Sequence, residues 1–161
     1  MWPASQRLRA RELGNAVSSA THLDDVYLAF EARLAAVQGA DLDVVARLNL
    51  PSASARQHRL VSVTAPSTTN TEAYRDSDLA RVEDHVAVNL AYRVRANDQI
   101  ASRTEANRLE EQVRRALTDP AWQADWHVVY EGTTRGTGGS GAEWWVSTQI
   151  FRVTRDAELG G

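Results

Sequence analysis

The stretch Val86-Ala87-Val88-Asn89-Leu90-Ala91-Tyr92-Arg93-Val94 decides the fold. Val86, Val88, Leu90, Tyr92 and Val94 fall on one side, and Ala87, Asn89, Ala91 and Arg93 on the other. Side chains alternate across a strand, so this period of two predicts a half-buried strand of an antiparallel sheet, over residues 84–95. Ser102-Arg103-Thr104-Glu105 follows and has the form of a capping box. It predicts a helix over about 102–118, with Ala106, Leu109, Val113, Ala116 and Leu117 turned inward. Glu110 with Arg114, and Glu111 with Arg115, have the spacing of i,i+4 ion pairs, and Asp119-Pro120 ends the pattern.

Outward from this unit, residues 21–38 place Leu23, Val26, Tyr27, Phe30, Leu34 and Val37 on one helical face. Thr21 can cap the start, Asp24 and Asp25 suit the positive end of the dipole, and Gly39 suits the C-terminal cap. Leu42 to Leu50 alternates and reads as a strand, with a helical reading also open; Pro51 stops it. Arg59 to Ala65 is a further strand. Residues 66–78 are polar and read as a mobile loop. Trp126–Glu131 and Ala142–Thr154 form a hairpin, joined by a flexible loop over 132–141 that contains five glycines. In the last strand Trp144, Val146 and Ile150 share one face, and Trp145, Phe151 and Val153 share the other. Either a bulge switches the register, or a second subunit buries the second face.

The expected architecture is therefore α+β, a mostly antiparallel sheet of four to five strands with two main helices on one face. Residues 1–20 are an arm or short helix carrying Arg7, Arg9 and Arg11; residues 21–156 form one domain, and 157–161 a tail.

Composition narrows the function. The chain has 161 residues, a net charge of -3 and eighteen arginines without one lysine. An acidic balance gives no general pull toward nucleic acid. The arginine bias fits a GC-rich genome, and it also fits bidentate contacts to carboxylates at subunit interfaces. Without cysteine there is no disulfide, thiolate nucleophile or zinc–thiolate site. The start has no apolar core of a secretion signal, and no run approaches a membrane span, so no membrane partner is expected.

Candidate chemistry is sparse. His22, His58, His85 and His127 are scattered, and Glu83 with His85 alone is too few ligands for a metal. The glycine-rich run 136–141 lacks the lysine of a P-loop and opens a strand, so it is read as a loop rather than a phosphate cradle. No cofactor is expected. Of Trp2, Trp122, Trp126, Trp144 and Trp145, the last two are adjacent on one strand and cannot point the same way. One of them is a candidate interface residue.

The order of elements resembles the tail terminator, or tail completion, proteins of tailed bacteriophages and gene transfer agents. The likeness rests on the opening helix, the strand Asp84–Val94 closing in Tyr92-Arg93, the helix Ala101–Leu117 and the final strand ending Gln149-Ile-Phe-Arg-Val153. It spans about residues 20–156, and region 40–80 departs from the family's pattern. The resemblance implies a hexameric ring that caps the head-proximal end of the tail tube and joins it to the neck. It implies as partners the tube protein and a neck or head–tail connector protein. DNA would pass through the ring without specific binding, and the site of action would be the virion, assembled in the host cytoplasm. Interface candidates chosen by exposure pattern are Arg93, Arg95, Arg114, Arg115, Arg135, Trp144, Trp145 and Arg152. Alternatives are another neck adaptor, a small hydrolase using His85 or His127, and a monomeric module binding through the glycine loop.

Overall fold

The alternating stretch is part of β4 (Leu79–Arg93), the longest-shared strand of the sheet. The structure is a computed structural model that describes residues 22–54, 56–74, 78–95, 97–123, 126–139 and 143–158. The expected arm at 1–20, the Thr21 cap and most of the C-terminal tail lie outside them. Along β4, Val82, Asp84, Val86, Val88, Leu90 and Tyr92 are buried on one face, as the alternation requires.

Two helices cover that face. In α1 (Leu23–Ala35), Val26, Phe30 and Leu34 turn inward. The Asp25 carboxylate accepts from the His22 backbone N–H at 3.3 Å and closes the first turn. In α2 (Gln99–Thr118), Ala106, Leu109, Val113 and Leu117 turn inward. Together the helices form one core with Val61, Val63, Val128, Phe151, Val153 and the buried side of β4. Phe30 meets Phe151 and Trp122 edge-on, at 6.1 and 5.6 Å between ring centroids, the geometry that ring quadrupoles favour. Arg33 ties the two C-termini together: its Nε donates to the Ala116 carbonyl at 3.0 Å, one of the last-turn acceptors a helix leaves unpaired.

The capping box predicted at Ser102–Glu105 is displaced. Asp98 caps α2, its carboxylate accepting from Ala101 N–H at 3.1 Å. Ser102 lies within the first turn, where its hydroxyl donates back to the Asp98 carbonyl and accepts from Arg95 N–H, both at 2.9 Å. Glu105 turns to Arg95 instead of to the helix start.

The α+β class with two helices on one face is observed, but the sheet is larger than expected and mixed. It has six strands in the order β1-β2-β4-β6-β5, with β3 also paired to β4. β2 (Arg59–Val63) takes the C-terminal half of β4, and β3 (Ser67–Ala73) takes the N-terminal half. The two lie end to end along one edge of β4, interrupted at Pro66, which has no N–H to donate. β3 replaces the loop expected at 66–78. Ser67, Thr68, Thr69, Thr71 and Glu72 are exposed because β3 is an edge strand, so hydrophobic patterning gives it no signal. The strand expected over Leu42–Leu50 shrinks to β1 (Asp43–Val44), parallel to β2. After Val45 N–H donates to the Val61 carbonyl at 2.8 Å, the chain leaves the edge. It then lays Leu48, Leu50 and Ala53 over Leu60, Ala91 and Trp144, on the face away from the helices.

The final hairpin is longer than predicted. β5 (Trp126–Gly138) pairs with β6 (Trp144–Glu158), so most of the expected 132–141 loop is strand. A bulge between Tyr130 and Gly132 shifts the register, one of the two explanations offered for the two-faced pattern, though it lies in β5. Past the bulge, Gly132, Gly136 and Gly138 pair with Ile150, Val146 and Trp144, on the face that receives Leu50. A Cβ on Gly138 would stand 2.6 Å from Leu50 Cδ1 and 3.0 Å from Val146 Cγ2. The glycine there permits close approach and is not a sign of a loose loop. Among the described residues, no helix is long and apolar enough to cross a membrane.

Candidate functional site

The hairpin outruns the apolar cover of α2. On the helix-facing side, Phe151 is followed toward the hairpin tip by Gln149, Ser147 and Trp145, opposite Thr133, Arg135 and Thr137 on β5. Polar groups therefore meet α2 where Leu and Val would be needed for a continuous core. Arg135 clamps Glu110 with Nη2 at 2.8 Å and Nε at 3.0 Å from Oε1, a bidentate pair. The hydrogen bonds that Arg135 donates to the Glu110 carboxylate raise the Arg135 pKa above its ordinary value. Gln149 Nε2 donates to the Glu110 carbonyl at 2.9 Å. Arg103 lies over the Trp145 ring at 5.2 Å.

These contacts leave a cleft of about 610 Å³ between α2 and the hairpin. Arg103, Ala106, Asn107 and Glu110 form its helix wall, and Arg135, Gly136, Thr137, Trp145 and Val146 its hairpin wall. The buried Trp145 Nε1 has no hydrogen-bond partner among the described residues. The cleft offers an aromatic floor and two guanidinium groups, of which, among the described residues, only Arg135 faces a carboxylate across the cleft. That set suits recognition of an acidic or carbonyl-rich partner. Among the described residues Glu110 is the one acid lining the cleft, and its carboxylate is paired with Arg135.

Of the interface candidates, the structure brings Arg135 and Trp145 together here. The others are dispersed. Trp144 is buried, at 1 % exposure, beneath its own chain's Leu48–Ala53 segment, so a second subunit is not what covers it. Arg93 lies over the Trp144 ring at 4.3 Å and donates to the carbonyls of Ser54 and Gln57, which anchors that segment. Arg95 pairs with Glu105 at 2.7 Å, and its hydrogen bond holds the Glu105 carboxyl below the usual range. Arg114 lies over Tyr130 and Arg115 pairs with Glu111 at 2.8 Å. The expected Glu110–Arg114 pair is replaced by Glu110–Arg135, because Glu110 faces the hairpin and is nearly buried. Arg152 approaches Glu131 at 3.7 Å on the open face of the sheet.

The histidines do not converge. His85 Nε2 lies 2.9 Å from Glu131 Oε1 on the open face, half-exposed, and His127 Nδ1 lies 3.1 Å from Gln123 Oε1. Among the described residues no three potential ligands form a metal cluster.

Sequence reasoning missed two features. Arg103 entered the sequence analysis only within the capping-box motif and Asn107 not at all, although their i,i+4 spacing places them on one stripe. Asp84 and Arg155 form a buried ion pair between β4 and β6, at 2.5 Å from Nε to Oδ2. Its signal was the phase: Asp84 is in step with Val82 and Val86, and Arg155 with Phe151 and Val153. No known protein-family model matches the chain, and no curated protein matches it.

Proposed function

We propose that this chain is a ring-forming structural subunit, a tail terminator of a tailed bacteriophage or gene transfer agent. Copies of it close around the tube axis, occupy the growing face of the tail tube and present their other side to the neck. The mechanism is occupancy, without bond chemistry.

The observation that carries this reading is the recognition cleft at the distal end of the hairpin, between α2 and β5–β6. Its lining binds rather than reacts, and it lies open on the flank of a rigid sheet. The order of elements supports the reading as well, since an opening helix, a long central strand, a second helix and a terminal hairpin occur in sequence. The surplus apolar strand surface expected at Trp144 is taken up by the chain itself, so the argument for assembly rests on the cleft and on exposed helix positions.

Tube length tests the reading. The purified protein, added to a polymerising tail-tube protein, is expected to shorten the tubes in negative-stain images and to leave a six-fold ring at one end. Tubes of unchanged length, or rings of twelve-fold symmetry, contradict termination; the second result favours a neck adaptor.

A further inference from the structure

Three large hydrophobic side chains are strongly exposed among the described residues: Leu28 at 59 %, Ile100 at 84 % and Tyr74 at 37 %. Two of them sit beside opposite charges. Ile100 is on the first turn of α2, three residues before Arg103 and seven before Asn107, so all three share one helical stripe, of which Arg103 and Asn107 line the cleft. Leu28 is on α1, four residues after Asp24 and three after Asp25, and the two carboxylates and Leu28 all face solvent. Ala32 extends the same exposed stripe by another turn.

The two patches lie on opposite flanks. α1 packs on the β1–β2 side of the sheet, and α2 packs on β4, β5 and β6. The cleft opens on the hairpin side of α2, away from α1. One molecule therefore cannot bring its own acidic knob into its own cleft.

We infer that the α1 stripe of one copy docks into the α2–hairpin cleft of the next. Leu28 enters against Trp145 and Ile100, and Asp24 meets Arg103. Arg103 is the suitable counter-charge, because it lies over the Trp145 ring and meets no carboxylate among the described residues. The contact is heterologous, with different patches on the two copies, and such contacts close into a ring when the rotation between copies allows it. An apolar centre rimmed by matched charges is the arrangement in which both area and orientation are supplied at once. This inference rests on the proposed self-assembly and identifies the surfaces that carry it.

Charge exchange tests it in the full-length chain. Sedimentation velocity over a concentration series reads the dissociation constant of the assembly. Arg103→Asp alone and Asp24→Arg alone are each expected to raise it about tenfold or more, and the two together to return it to within about threefold of the wild type. Leu28→Ser is expected to weaken assembly by at least as much while leaving the thermal midpoint in place, since Leu28 is exposed in the single copy. Rings that are indifferent to all four variants overturn the docking and leave the ring reading intact. A wild type that sediments as one copy at every concentration overturns both.

Discussion

Asp84 shows how a single residue can be decided by its phase rather than its type. It stands in the apolar row of β4 and is fully buried, and its carboxylate is met by Arg155 and by the Thr68 hydroxyl at 2.8 Å. A buried ion pair is a weak source of net stability, because desolvation offsets the attraction, but removal of one partner strands the other charge. Arg155→Leu is therefore expected to destabilise the fold by about 3–5 kcal/mol in urea unfolding, and Asp84→Leu/Arg155→Leu to recover most of that loss. A double variant as unstable as the single would contradict this account of the pair. Arg135 follows the same logic at lower stakes. Its partner Glu110 is nearly buried while its own side chain is 59 % exposed, so the pair orients the cleft wall more than it stabilises the core.

At the scale of elements, what the sequence revealed depended on how one-sided each element's burial is. α1, α2 and β4 each bury one stripe or face against the main core, and their periodicity is plain. β2 is buried on both faces, with Val61 and Val63 under the helices and Leu60 under the other cluster, so only its β-branched composition marks it as a strand. β3 has no such face. It is polar throughout, and only its partner β4, long enough to hold β2 and β3 in line, gives it a place. The distal hairpin misled for a different reason. Glycines at 132, 136 and 138 look like loop residues, yet all three lie within a paired strand, and at Gly138 Leu50 and Val146 crowd the backbone. The cleft was legible in part: Arg135 and Trp145 were identified from exposure and residue type, whereas Arg103, Asn107 and Glu110 were hidden in an ordinary wet helix face. Native-state hydrogen exchange tests the strand assignment of β3. The amides of residues 67–73 that point to β4 are expected to exchange slowly and to alternate with fast ones. Uniformly fast exchange over this segment would restore the loop reading.

At the scale of the whole molecule, one face of the sheet is closed by two helices, and the other is partly closed by the strap at 45–53. The strap removes the need for a neighbour at Trp144. What remains for a neighbour is the cleft with its two arginines on one flank, and the Asp24–Leu28 stripe on the other. A molecule with complementary patches on opposite flanks either polymerises without end or closes on itself, and a cap for a tube requires closure. The copy number therefore tests the account most directly. Native mass spectrometry of the wild-type chain is expected to show six copies of the 17.8 kDa subunit as the dominant species at micromolar concentration. A spectrum holding only the single chain, at that concentration and above, would contradict it.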